Sequence, residues 1–380
     1  MRFTPHFFCI IALGALLSSC SRYRPDVTAD LADGASLHFD SALLLSDENY
    51  AAQMRERVLP FLEQRRQEGA LQTRSGKSVH YETFTAPESR GCIVIFHGFC
   101  EFTSKFDELT YYFVKSGYSV CRFDHCGHGL SDRFTGTDTE AELAKVYVDD
   151  FATYVQGAKD VVDNIARPLS GGAPLYLFAH SMGGCIGALY IEDYPDDFAA
   201  AVLTTPMLTI NAGALPQWLA TFVADTAVAL GKGTDMLPGE KILPETFEWE
   251  DTLKGHPKAR RSASRPRLEY QFALRRAQPL YRTNAPTFGW TAAAFAASRQ
   301  ARSKESAARV RCPVLLFQAQ NDVWVKPAGQ EQFCRAVRDS GGSIQMVYCP
   351  GIEHEIYNSR TEFLAAYYSS IIGFFEKSAQ

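Results

Sequence analysis

Positive charge is in short supply in this chain: 38 Lys and Arg stand against 43 Asp and Glu, a net charge of −5. A nucleic-acid binder needs a basic excess to neutralise phosphates, so nucleic acid is not an expected partner. No internal repeat or low-complexity tract appears, which sets aside solenoids and propellers. No C-x-x-C pair and no His/Cys cluster has zinc spacing, so no metal site is expected. What is present suits a folded enzyme-sized chain: 380 residues, 46% hydrophobic and 21% charged, enough for one large or two small domains.

The N-terminus reads separately. Arg2 supplies a short positive region, and Phe7 to Leu17 is an apolar run of eleven residues. That is too short for a bilayer span, which takes roughly 20 residues. The run ends in Leu17-Ser18-Ser19-Cys20, which resembles the lipobox of bacterial lipoproteins. The resemblance implies a signal peptide over residues 1–19 and a lipidated Cys20 as the mature N-terminus. It also implies a protein anchored to a membrane of the bacterial cell envelope, the outer membrane on its periplasmic side by analogy with Ser21 beside the cysteine. An ordinary secretory signal is the alternative. Eight cysteines follow Cys20; export would permit disulfides, but Cys92, Cys121 and Cys312 lie in or beside core strands, where a thiol is a small apolar filler.

Residues 20–76 are read as an anchor-proximal linker followed by an amphipathic helix reaching to about Ser75. Val79 to Phe84 alternates and predicts an antiparallel edge strand. Strands are then expected near 92–97, 119–124, 174–179 and 199–205, with helices near 104–116, 148–166 and 183–195. This is the βαβ alternation of a doubly wound, mostly parallel sheet. The last two strands come only after position 312. The interval 208–307 breaks the pattern, is rich in Pro and Arg, and is expected to be an inserted helical cap. The α/β core is then 77–207 plus 308–380, closed by a final helix at about Glu362 to Lys377.

The sharpest motif is Ala179-His180-Ser181-Met182-Gly183-Gly184, between the apolar run Pro174 to Phe178 and a helix that opens with small residues. A Ser on such a strand-to-helix turn is a nucleophile elbow, G-x-S-x-G in its usual form. The remaining parts follow in order. His97-Gly98-Phe99 ends an upstream strand, where a second oxyanion donor is expected at the Phe99 N–H beside the first at the Met182 N–H. Asp322 follows the strand Pro313 to Phe317, and His354 follows the strand Ile344 to Tyr348. All sit past the C-terminal ends of parallel strands, where open α/β sheets bind ligands.

These residues resemble the α/β-hydrolase superfamily, in its branch of monoacylglycerol lipases and bacterial lysophospholipases. Asp124-His125-Cys126-Gly127-His128-Gly129-Leu130-Ser131 resembles that branch's D-x-x-G-H-G-x-S loop. His97-Gly98-Phe99-Cys100-Glu101-Phe102-Thr103-Ser104 resembles its H-G-x-x-E-x-x-S. Tyr50 to Gln67 and Ala285 to Trp290 are similar to the bacterial lysophospholipases. Ala179 departs from the usual glycine. The resemblance implies Ser181 as nucleophile, His354 as base and Asp322 as its orienting acid, with Phe99 and Met182 as oxyanion donors and no cofactor.

Alternatives accompany each assignment. Asp196 or Asp197 competes with Asp322 as the acid, and His97, His125, His128 and His180 compete with His354. Glu355 reads as a loop-stabilising carboxylate, and Cys100 and Cys126 fall in two loops that neighbour each other in this fold, as thiols or as a disulfide. Arginines 260, 261, 265, 267, 275 and 276 either greet an anionic headgroup or form a solvated face. Leu215, Trp218, Leu219, Phe222, Val223 and Val228 recur at roughly helical spacing and, with Phe288, Trp290 and Phe295, are expected to form an apolar lid over Ser181. The leading functional expectation is hydrolysis of single-chain lipid esters, lysophospholipids or monoacylglycerols. A general carboxylesterase, a proline-type aminopeptidase and a non-catalytic lipid-binding lipoprotein are the alternatives.

Overall fold

A computed structural model describes residues 29–31, 38–243, 246–248 and 262–379. Cys20, the signal segment, Arg260 and Arg261 lie outside the described residues. Eight strands form one sheet: β1 (Arg66–Gln72), β2 (Ser78–Phe84), β3 (Cys92–Phe96), β4 (Ser119–Phe123), β5 (Leu175–His180), β6 (Ala200–Thr204), β7 (Val314–Ala319) and β8 (Ile344–Cys349). Their spatial order is β1-β2-β4-β3-β5-β6-β7-β8. β2 runs antiparallel to both β1 and β4, and every later pairing is parallel.

The inner strands are continuous apolar runs because helices cover both faces. Along β3, Val94 joins one core with Leu177, Leu203 and Leu316 of its neighbours, against Tyr154 and Ile186. Ile93 and Ile95 point the other way, into a second core with Tyr176, Phe178, Phe113 and Tyr368. The first core is covered by α2 (Ala152–Val161) and α3 (Met182–Asp193). The second is covered by α1 (Asp107–Lys115) and by the C-terminal helix Thr361–Ser378, longer than expected by a residue at each end.

Two expectations at the N-terminal side are corrected. Helical turns stop at Glu63, and residues 66–72 form β1 rather than the end of a helix. Gly69 is the physical reason: it costs a helix interior about 1 kcal/mol. In the strand its missing side chain leaves room for Tyr81, whose hydroxyl would lie 2.6 Å from an added Cβ. All seven residues of β1 pair with β2, from Arg66↔Phe84 to Gln72↔Ser78. β2 is therefore an inner strand, and β1 takes the edge.

Between β6 and β7 the chain builds α4 (Gln217–Ala229), α5 (Arg265–Ala277) and α6 (Phe288–Ala301), with α6 packed on both α3 and α4. A short parallel pair, Lys145–Val146 with Ala285–Pro286, ties this segment to the loop after β4. Among the described residues no helix is long and apolar enough to cross a membrane.

Candidate active site

β5 ends at His180 and α3 begins at Met182, so one residue, Ser181, turns the chain. Its backbone lies at φ 52° and ψ −114°, a region that costs a non-glycine residue about 1–3 kcal/mol. Close packing holds it there. A Cβ at Gly183 would lie 2.2 Å from the Phe96 carbonyl oxygen, and one at Gly184 would lie 2.7 Å from Pro206 Cβ. Ala179 is tolerated in place of the usual glycine because Gly187 stands opposite it, where an added Cβ would come 3.0 Å from the Ala179 methyl.

Loops after β7 and β8 bring the other groups to this turn. His354 Nε2 lies 2.8 Å from Ser181 Oγ, and His354 Nδ1 lies 2.6 Å from Asp322 Oδ2. The other Asp322 oxygen accepts the Trp324 and Val325 N–H groups at 2.8 and 3.0 Å. An ionised carboxylate only accepts, so the proton of His354 sits on Nδ1 and Nε2 is left to accept from the serine hydroxyl. Thr205 Oγ1 donates to the His354 carbonyl at 2.9 Å and fixes the loop. Asp196 and Asp197 are engaged elsewhere: Asp196 with Arg311, and Asp197 with Arg167 and Tyr190.

The two expected oxyanion donors, Phe99 and Met182, lie on separate segments beside Ser181. Met182 is the first residue of α3, so its N–H has no partner within the helix. Gly98 backs directly on Ser181: a Cβ there would lie 3.1 Å from Ser181 Cβ. Its N–H donates to Glu101 Oε2 at 2.5 Å, which sets the turn that presents Phe99. Glu101 Oε1 accepts from Lys105 Nζ at 2.6 Å and from Tyr357 OH at 2.9 Å, and the same Nζ reaches Glu355 Oε1 at 2.7 Å. One buried ammonium thus joins the Phe99 loop to the residue next to His354. Burial would raise the Glu101 carboxyl, but Lys105 and the other donors hold it well below the usual range.

The four competing histidines, His97, His125, His128 and His180, are all buried. His97 Nε2 accepts the His125 N–H at 2.8 Å, with Nδ1 2.8 Å from the Gly98 carbonyl oxygen. Burial lowers His97 and His180 to about 4, so both are neutral near pH 7. Asp124 accepts the N–H groups of Thr103 and Leu130 at 2.7 and 2.8 Å and so ties its own loop to the segment after Phe99. Cys100 and Cys126 are buried thiols that no disulfide joins, and Cys126 Sγ donates to the Asp132 carbonyl at 3.0 Å.

A cavity of about 540 Å³ opens over Ser181 and His354. Most of its wall is apolar: Phe99, Met207, Ile210, Leu243, Trp290 and Val325 among others, with Glu240, Lys241, Arg275 and Asn284 on the cap side. Of the expected lid residues Trp290 lines the cavity, whereas none of those between 215 and 228 does. Trp218 is 70% and Phe222 64% exposed, while Ala224 is the buried residue of α4. The helix seats its small side against α6 and turns its bulky side to solvent. Of the described cap arginines only Arg275 lines the cavity. Arg267 is buried with Glu108 and Asp47, Arg265 pairs with Glu269, and Arg276 pairs with Glu248. Lys105, Glu240 and Lys241 were not singled out from the sequence, since none belongs to a motif with chemistry attached. The one described cluster with three metal-capable groups, Glu68, His80 and Glu82, lies away on the β1–β2 pair, and Arg66 and Arg122 already engage its carboxylates.

Lysophospholipase L2 of Escherichia coli K12 is 27% identical over 306 residues, covering 79% of this chain and 84% of that protein. Monoacylglycerol lipase of Mycolicibacterium smegmatis is 24% identical over 284 residues, covering 74% and 88%. A thermostable carboxyl esterase from Bacillus coagulans superposes with a TM-score of 0.64 at 19% identity, over 83% of this chain and 99% of that one, which bears on the fold alone. The profile of the family described as serine aminopeptidase, S33, matches residues 87–361. With an α/β-hydrolase sheet and most of its length inside that match, the chain belongs to the serine aminopeptidase S33 family of hydrolases.

Proposed function

We propose that the protein hydrolyses carboxylic esters of single-chain lipids, lysophospholipids or monoacylglycerols, through an acyl-enzyme on Ser181. The observation that carries this is the hydrogen-bonded chain Asp322–His354–Ser181 at the floor of a mostly apolar cavity. His354 takes the serine proton as Oγ attacks the ester carbonyl and returns it to the leaving alcohol, while Asp322 steadies the imidazolium. The N–H groups of Phe99 and Met182 hold the oxyanion, each such donor being worth about 10²–10³ in rate. Water, activated by His354, then releases the fatty acid. The apolar walls favour a long acyl chain, each buried methylene contributing about 0.8 kcal/mol. The lysophospholipase and monoacylglycerol lipase names of the relatives point the same way.

The proposal extends to place. Lipidation at Cys20 would hold the enzyme on a membrane of the cell envelope, where such lipids are. The solvent-facing Trp218 and Phe222 of α4 supply a second apolar contact on the cap that covers the cavity. A chain-length series of acyl esters, set against a Pro-p-nitroanilide, tests the substrate class. Selective turnover of long acyl esters supports the proposal; preference for the anilide or for acetate esters overturns it. Labelling of Ser181 by a fluorophosphonate separates catalysis from lipid binding alone.

A further inference from the structure

We infer that Lys105 is a positioning residue for catalysis: its ammonium, bonded to Glu101 and Glu355, holds the segment of Phe99 and the segment of His354 at a fixed separation around Ser181. The inference rests on the acyl-enzyme reading above and adds the residue that keeps its parts in register.

Lys105 lies in the turn Thr103–Phe106 that leads into α1. Its side chain is 4% exposed, and its Nζ donates to Glu101 Oε1 at 2.6 Å and to Glu355 Oε1 at 2.7 Å. Each carboxylate belongs to a different segment and helps to fold it. Glu101 accepts the Gly98 N–H on its other oxygen, and its own N–H returns to the Gly98 carbonyl at 3.2 Å. Glu355 directly follows His354. Its Oε2 accepts from Asn358 Nδ2 at 3.1 Å, and its carbonyl accepts the Asn358 N–H at 3.0 Å. The residue before Ser181 joins the same group: His180 Nε2 lies 3.6 Å from Glu101 Oε1, and its ring lies 4.9 Å from that of His354. Glu101, His180 and Glu355 line the cavity, whereas Lys105 does not.

Two buried carboxylates that share one cation do not stay together once the cation is gone. Like charges repel and burial penalises each ionised form, so one carboxylate takes up a proton or turns toward water. Either change loosens the turn at Gly98 or the turn after His354. The placement of an oxyanion donor relative to the general base is where small errors are costly, since a displacement of about 1 Å can lower the rate roughly 10²-fold. The loss falls on the transition state, because the oxyanion and the imidazolium develop only there. Lys105 reaches neither, so it acts through the geometry of the groups that do.

The test uses the full chain and a short chromogenic ester. Lys105→Met, close in length and uncharged, is expected to lower kcat about 10²-fold with KM little changed. Lys105→Arg, whose fork can bridge two carboxylates, is expected to recover most of that loss. Lys105→Met combined with Glu355→Gln removes one buried anion along with the cation. This double variant is expected to regain the thermal midpoint without regaining kcat, and it carries the comparison where Lys105→Met alone folds poorly. An alkyl trifluoromethyl ketone, bound as a tetrahedral adduct of Ser181, should lose affinity by the same factor as kcat/KM, while the product fatty acid binds as it does to the wild type. A kcat near wild type in Lys105→Met, or kcat recovered together with Tm in the double variant, overturns the positioning role and leaves the acyl-enzyme reading standing. Equal weakening of ketone and fatty acid does the same. No ester turnover by the wild type overturns the acyl-enzyme reading, and the positioning role with it.

Discussion

Ser181 occupies a strained backbone position, and the residues around it earn their identities from that strain. The triad groups touch one another, so their loss is expected to be non-additive. Ser181→Ala should lower kcat on a short chromogenic ester by about 10⁴–10⁶, and adding His354→Ala should cost little more. Residual turnover near wild type would remove Ser181 from the mechanism. The packing under the elbow gives a second test. Gly187→Ala drives a methyl to about the 3.0 Å contact with Ala179, and overpacking of this kind costs about 1–3 kcal/mol. Ala179→Gly in the same chain should recover most of that loss in denaturant titrations; no recovery would show that the two positions are not coupled. These residues were legible in the sequence because each lies in a short motif at a strand end, where chemistry fixes both residue type and spacing. Lys105 was not legible. Its role comes from Glu101 and Glu355, 250 positions apart in the second case, and no local pattern announces a contact of that separation.

At the scale of elements, the inner strands were legible as apolar runs because burial on both faces leaves nothing else for them to be. β1 was not. Its residues Arg66–Gln72 are mostly exposed, carry mixed charge and lack alternation, and their pairing with β2 supplies what their own pattern does not. The bulky residues of α4 were legible as an apolar face, but the direction of that face depends on where α6 packs, which periodicity does not state. Helix α3 carries one unusual group with a measurable consequence. Both carboxyl oxygens of Glu192 are buried without a hydrogen-bond partner among the described residues. Burial, partly opposed by Arg309, pushes the carboxyl up to about 9 from its ordinary 4.5. The folded state therefore keeps a proton that the unfolded chain gives up, so stability falls as pH rises from about 4.5 to about 9. Glu192→Gln mimics the neutral acid and should remove that slope. The Tm advantage of the variant should be small at pH 5 and larger at pH 8; a gap independent of pH would show that Glu192 is ionised in the folded protein.

For the whole molecule, the sheet order gathers loops from distant parts of the chain onto one edge, and the cap roofs that edge. Its outer helix turns Trp218 and Phe222 away from the protein. Two membrane contacts of different strength are then expected. Burying one large apolar side chain in lipid is worth about 1.5–3 kcal/mol, so the pair together supplies roughly the 4 kcal/mol that corresponds to millimolar binding. That is enough to orient a tethered enzyme but not to hold a free one. On the proposal that Cys20 is lipidated, several acyl chains together would supply firm attachment. Intact mass of membrane-extracted protein should therefore show a chain that begins at Cys20 and carries acyl groups. Cys20→Ser should move the enzyme to the soluble fraction with turnover of dispersed esters retained. The released protein should still partition weakly onto concentrated phospholipid vesicles, and Trp218→Ser with Phe222→Ser should lower that partition about tenfold or more. If partition is unchanged by the double substitution, α4 does not face the bilayer. If the unlipidated chain stays in the membrane fraction, Cys20 is not what holds it there.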